Sequence, residues 1–172
     1  MDSQKTVLET PRFGVVEHRF QSGDEQLVKY SVQHPGAVVI LPILEDATEP
    51  SVVLIKNYRI AVDQTLIEAP AGTLEPPEPP LKTAQRELTE ETGYTAENWT
   101  ELPGFTMSPG ILNERMYCFV AKGLTPGEPA REPGEEIENL VMPIADAIAL
   151  AERGEIEDAK TLVALLRYHA FS

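Results

Sequence analysis

Residues 72–94 read GTLEPPEPPLKTAQRELTEETGY, and this stretch decides the fold. Four prolines crowd into residues 76–80, which excludes helix or central strand there. Pro79 or Pro80 falls in the first turn of a helix, where proline is tolerated, and Gly93 falls just past its end. The spacing therefore predicts a helix over about Leu81–Thr92. Leu81, Ala84 and Leu88 share one face of it, and Glu87, Glu90 and Glu91 lie on an adjacent face at roughly 100° per residue. Three carboxylates at this spacing converge beside the helix and cost an isolated helix a few tenths of a kcal/mol each, roughly, through like-charge repulsion. A hard cation with oxygen ligands reverses that penalty. Arg86 can pair with Glu90 four residues on or with Glu78 in the loop. Taken alone, the triplet also describes a solvated charged face, and the proline run an inert linker between domains. The short segments on either side favour a stiff loop within one domain.

Working outward, the hydrophobic runs read mainly as strands. Residues 13–20 and 27–33 alternate loosely about Ser22-Gly23-Asp24 and predict a hairpin. Ala37–Ile43 and Ser51–Tyr58 are Val- and Ile-rich runs of the buried-strand type. Thr65–Ala69 is a further strand, ended by Pro70-Ala71-Gly72. After the helix come strands at Trp99–Phe105 and Met116–Ala121, with a turn at Ser108-Pro109-Gly110. A loop at Thr125–Glu136, a short strand at Leu140–Pro143, and helices at Ala145–Arg153 and about Asp158–His169 complete the reading. The expected class is α/β, a mixed sheet covered by helices.

Composition bounds the function. The 172 residues suit one domain, and 42% apolar content fits a globular chain. The net charge of −14 opposes nucleic-acid backbones and anionic membranes, so neither is an expected partner. It also makes a phosphate-bearing substrate hard to accept without divalent cations to bridge the two. No apolar stretch is long enough for a membrane helix, the opening residues lack a signal-peptide plan, and Cys118 is the single cysteine, so a cytoplasmic, reducing setting is expected. Cys118 reads as core, and His18, His34 and His169 share no ligand-like spacing.

The spacing Gly, five residues, Glu, seven residues, Arg-Glu-apolar-x-Glu-Glu-x-Gly-apolar resembles the Nudix box. Gly72, Glu78, Arg86, Glu87, Leu88, Glu90, Glu91 and Gly93 fall on it; a chance match of eight fixed positions is below about one in a million. Tyr94 stands where an aliphatic residue is usual. Ile67-Glu68-Ala69-Pro70-Ala71-Gly72, His34–Val39, Asn57-Tyr58-Arg59 and Ser108-Pro109-Gly110 with Glu114 are similar to the ADP-ribose pyrophosphatase subgroup. So is Pro109 by its distance from Gly93. The resemblance implies a Nudix α/β/α sandwich (residues 36–172) with an N-terminal antiparallel β-hairpin extension (residues 1–35), paired as a homodimer. It implies Mg²⁺ (or Mn²⁺) held by Glu87, Glu91, the Ala71 carbonyl and Glu90, directly or through water, with Arg86 and Glu78 supporting them. It implies a base from the loop Pro133–Glu138, Glu135 first and Glu136 second. Substrate contacts are implied for Arg59, Glu68, Glu114, Arg12 and Phe13, with Phe13 equally readable as core. The implied reaction is hydrolysis of ADP-ribose to AMP and ribose 5-phosphate. A GDP-sugar or another nucleoside diphosphate sugar is the rival substrate. A non-catalytic nucleotide-sensing module is the rival of another class, opposed by the intact set of box carboxylates.

Overall fold

The computed structural model describes residues 3–45, 49–131 and 136–171. Strands β1 (Ser3–Glu9), β2 (Gly14–Ser22) and β3 (Glu25–Gln33) form an antiparallel sheet in the order β1-β2-β3. The expected hairpin is β2–β3, but the extension is larger than a hairpin. Every residue of β1 is exposed, so no apolar alternation marks it in the sequence; its pairing to β2 makes it a strand.

The second sheet is built from β4 (Ala37–Leu44), β5 (Ser51–Arg59), β6 (Gln64–Glu68), β7 (Ala71–Thr73), β8 (Thr95–Thr106), β9 (Arg115–Thr125) and β10 (Ile137–Pro143). Its main path runs β10-β5-β4-β9-β8, with β6 paired to β5 and β7 to β4. The β4–β9 pair is parallel and the others are antiparallel, so the sheet is mixed. Ala71-Gly72 does not end a strand as expected. Pro70 interrupts the chain after β6, and Ala71–Thr73 then pairs antiparallel with Ala37–Val39.

Helix α1 (Pro80–Thr92) covers one face of this sheet, and α2 (Ile144–Glu152) and α3 (Ala159–Phe171) cover the other. Alternation along β4 explains the sandwich. Val38 and Ile40 pack with Ala84 and Leu88 of α1 and with Phe119, while Val39, Leu41 and Ile43 pack with Ala147 of α2 and with Ala164 and Leu165 of α3. A strand buried on both faces reads as a continuous apolar run, as Ala37–Ile43 does. Among the described residues no helix is long and apolar enough to cross a membrane.

Helix α1 begins at Pro80 and ends where Gly93 takes φ 80° and donates its N–H to Thr89 O. Any side chain at Gly93 would be strained, and its Cβ would approach Gly127 O to 2.5 Å. The buried stripe of α1 runs through Thr83, Ala84, Leu88, Glu91 and Thr92; Leu81, expected on it, is exposed. Leu88 is fully buried, so Leu88→Ala should cost about 2–5 kcal/mol, read as a lower urea midpoint at unchanged slope.

Candidate active site

A cavity of about 530 Å³ opens between the second half of α1, β7, the end of β5 and the chain around Arg12. That volume lies in the range of small-molecule sites. Glu87, Glu90, Glu91, Ala71 and Gly72 line it together with Arg12, Arg59, Arg86, Glu114 and Lys160. The fold thus brings most of the sequence-derived candidates to one place.

Glu91 is 4% exposed, because it sits on the apolar stripe of α1, one turn past Leu88. Its Oε2 accepts the Ala71 N–H at 2.9 Å, which ties the helix to β7. Glu87 and Glu90 turn toward Arg86 instead. Arg86 Nη1 lies 2.9 Å from Glu87 Oε1 and 2.8 Å from Glu90 Oε2. Both pairings expected for Arg86 occur, since Glu78 Oε2 lies 3.6 Å from its Nε, and Glu75 adds a contact at 3.9 Å. Glu78 is further held by the Thr83 hydroxyl, which donates to it at 3.0 Å. Burial alone would lower the Arg86 pKa; the Glu87 and Glu90 charges and their hydrogen bonds outweigh it and hold the guanidinium firmly protonated.

The three carboxylates therefore do not all meet at one point. Among the described residues no group of three His, Cys, Asp or Glu side chains is spaced to hold a metal ion. The donor set nevertheless fits a hard cation. Carboxylates and the Ala71 carbonyl are all oxygen donors. One guanidinium serves four carboxylates, and two of its buried nitrogens, Nε and Nη2, have no hydrogen-bond partner. The local charge stays negative after Arg86 is counted. Gly72 adds a shape requirement: a Cβ there would stand 1.9 Å from Glu87 Cδ.

Across the cavity, Arg59 ends β5. Its Nε and Nη2 donate to the two oxygens of Glu68 at 2.7 and 2.5 Å. Glu68 is 1% exposed and does not line the cavity; the structure places it behind Arg59. Burial would raise its pKa, but the Arg59 hydrogen bonds and the Lys160 charge hold the carboxyl below the usual range. Glu114 lines the cavity beside His34, whose Nδ1 is 3.3 Å from Glu114 Oε1 and also accepts the Gly36 N–H at 3.2 Å. Arg12 lines the cavity and an adjoining recess of about 310 Å³; half-exposed Phe13 lines the recess alone. Glu135 lies outside the described residues. Glu136 is exposed and does not line the cavity, but it precedes Ile137, whose strand partner Asn57 does. Cys118 is core as expected, and burial pushes its thiol up to about 11.

Several residues at the site had no signal in the sequence. Lys160 reaches the cavity from α3 and donates to Glu68 Oε2 at 2.6 Å. Arg131 and Asn139 close the C-terminal end of α1. Arg131 Nε donates to Glu91 O at 3.1 Å, and Asn139 Nδ2 donates to Thr92 O at 2.8 Å. These are donors on the carbonyl end of a helix, where orphan acceptors collect.

The comparisons with known proteins agree with this geometry. The family model described as NUDIX domain matches residues 33–165. An ADP-ribose pyrophosphatase of Bacillus subtilis (strain 168) is 40% identical over 136 residues, covering 78% of this chain and 72% of its own. A GDP-mannose pyrophosphatase of Salmonella arizonae is 34% identical over 144 residues, covering 78% of this chain and 73% of its own. A solved structure titled "Crystal structure of ADP compounds hydrolase" superposes with a TM-score of 0.84 over 99% of this chain and 91% of that one, at 24% identity. That likeness bears on the fold.

Proposed function

The chain belongs to the Nudix family, and from that premise we propose that it hydrolyses the pyrophosphate bond of ADP-ribose to AMP and ribose 5-phosphate. Members of the family generally depend on a divalent metal; here Mg²⁺ is the ion we assign, with Mn²⁺ as a substitute. One observation carries the reading: a single cavity holds the carboxylates of α1 on one side and the cations Arg59 and Lys160 on another. A pyrophosphate needs both, and the recess of mixed polar and apolar lining around Phe13 and Arg12 offers a place for a flat base.

In this reading Glu87, Glu91, Glu90 and the Ala71 carbonyl hold the metal, which neutralises phosphate oxygens and activates water when bound. Arg86 and Glu78 keep the box carboxylates oriented, Gly93 ends the helix that carries them, and Gly72 leaves the room that Glu87 occupies. Arg59 binds phosphate, Glu68 fixes Arg59, Arg12 and Phe13 hold the base, and Glu114 contacts the substrate beside His34. A glutamate of the loop before β10, Glu135 or else Glu136, takes the proton from water as its oxygen bonds phosphorus and the bridging P–O bond breaks. We assign residues 1–35 as the extension and 36–172 as the hydrolase domain. The exposed Val28 and Tyr30 of β3 suit the extension to pairing with a second copy, giving a homodimer. A cytoplasmic setting accords with the single, buried cysteine.

GDP-sugars form the second reading, favoured by the relatives that carry the name GDP-mannose pyrophosphatase. Initial rates with ADP-ribose, other ADP-sugars and GDP-sugars under Mg²⁺ decide between the two. ADP-ribose should give the highest kcat/KM, with AMP as product. A GDP-sugar turned over faster would replace it, and binding without AMP release would point to a sensing module.

A further inference from the structure

We propose that Lys160 is a positioning residue for this hydrolysis: through the buried carboxylate of Glu68 it holds Arg59 in the cleft and keeps that side of the cleft attractive to phosphate. The inference rests on the reading of Arg59 as a phosphate contact.

Arg59 is the last residue of β5, and its side chain is 39% exposed. A long side chain at a strand end has many rotamers, and fixing one requires a partner. Glu68 supplies it by accepting two parallel hydrogen bonds from the guanidinium. That alone would leave Arg59 largely cancelled by the carboxylate it needs for alignment. Lys160 changes the balance. Its Nζ donates to Glu68 Oε2 at 2.6 Å and to Asp158 Oδ1 at 2.9 Å. Two cations and two carboxylates make the cluster neutral, so the Glu68 charge is shared and Arg59 keeps attraction for an anion in the cleft.

The cluster is also anchored. Asp158 Oδ2 accepts the Thr161 N–H at 3.0 Å at the start of α3, and Thr161 Oγ1 accepts the Ala69 N–H at 2.7 Å. The first turn of α3 therefore grips both Glu68 and the residue after it. Without Lys160 the cluster carries one net negative charge beside the cleft, and Arg59 is the single cation left between Glu68 and Asp158. Both changes act on substrate binding and leave the α1 carboxylates in place.

The test compares Lys160→Met, Lys160→Arg, Arg59→Met and the double variant Lys160→Met/Arg59→Met, all as full chains. Lys160→Met should raise KM for ADP-ribose by about tenfold or more, with kcat within about twofold and Mn²⁺ affinity unchanged. Lys160→Arg should restore most of the loss, and the double variant should be little worse than Arg59→Met alone. The Arg59 Nε resonance in ¹⁵N NMR should shift in Lys160→Met, as the guanidinium becomes the sole cation on Glu68, a readout independent of substrate and one that a gain in mobility alone elsewhere would not move. An unchanged KM in Lys160→Met, additive losses in the double variant, or an Arg59 Nε resonance that does not shift overturns the inference. An Arg59→Met variant with unchanged KM instead removes the reading of Arg59, and the inference with it. If Lys160→Met does not fold, Lys160→Gln is read against the same outcomes.

Discussion

Glu91→Gln should lower kcat by at least about a hundredfold while the chain remains folded. The side chain is 4% exposed and its partner is the Ala71 N–H, an interaction that the carbonyl oxygen of a glutamine reproduces at the same length. Removing a buried charge from a helix face crowded with carboxylates also relieves repulsion, so the substitution should leave the melting temperature unchanged or raise it slightly. What glutamine cannot reproduce is an anionic oxygen ligand. Three measurements separate the effects: a thermal melt, a calorimetric titration with Mn²⁺, and steady-state turnover. A variant that binds Mn²⁺ and turns over like the parent chain removes Glu91 from the metal site.

Gly72→Ala should have a comparable effect on activity from a single methyl group. The added carbon would fall on the Glu87 carboxylate, 1.9 Å from Cδ and from Oε1. Backbone is not what it meets, so the fold can yield at little cost by swinging the end of Glu87 aside. The loss of glycine freedom in the unfolded chain offsets part of that, and the stability change should stay within about 1 kcal/mol. Glu87, displaced, no longer lies against Gly72 of β7. Turnover should fall by about two orders of magnitude, with weaker Mn²⁺ binding and an unchanged urea slope. Near-normal turnover would mean that the position of Glu87 against β7 is irrelevant to the chemistry.

The contrast between these residues and Lys160 shows what a sequence can display. The α1 segment was legible because proline and glycine punctuate it, because its side chains repeat at helical spacing, and because the box is contiguous. β4 was legible because burial on both faces leaves an unbroken apolar run. β1 was not, since an exposed strand has no reason to alternate and exists only through its pairing with β2. The resemblance names Glu68 as a substrate contact, but the residue is buried and does not line the cavity. Its burial, and its role as the support of Arg59, depend on Lys160, 92 residues further on, where a lone lysine on a helix carries no periodic signal. The convergence of Glu87, Glu90 and Glu91 followed from helical geometry, yet the side chains divide between Arg86 and Ala71 because each takes the nearest strong partner. Arg131 and Asn139 escaped for a simpler reason: donors that satisfy the end of a distant helix resemble any other polar loop residue until the loop is placed.

The β4–β9 pair also sets an order of assembly. It is the parallel pair of the sheet, and it joins residues 37–42 to residues 116–121. The seat of α1 includes Phe119 and Ala121, both of which lie on β9. When the ribosome has delivered α1, part of the surface it must rest on has not yet been made. The helix with its crowded carboxylates is then an exposed, weakly stable segment, and pairing across such a distance along the chain closes slowly. Docking of α1 should consequently come late in folding, and in the proposed reading the chain would gain its scaffold before its carboxylate site.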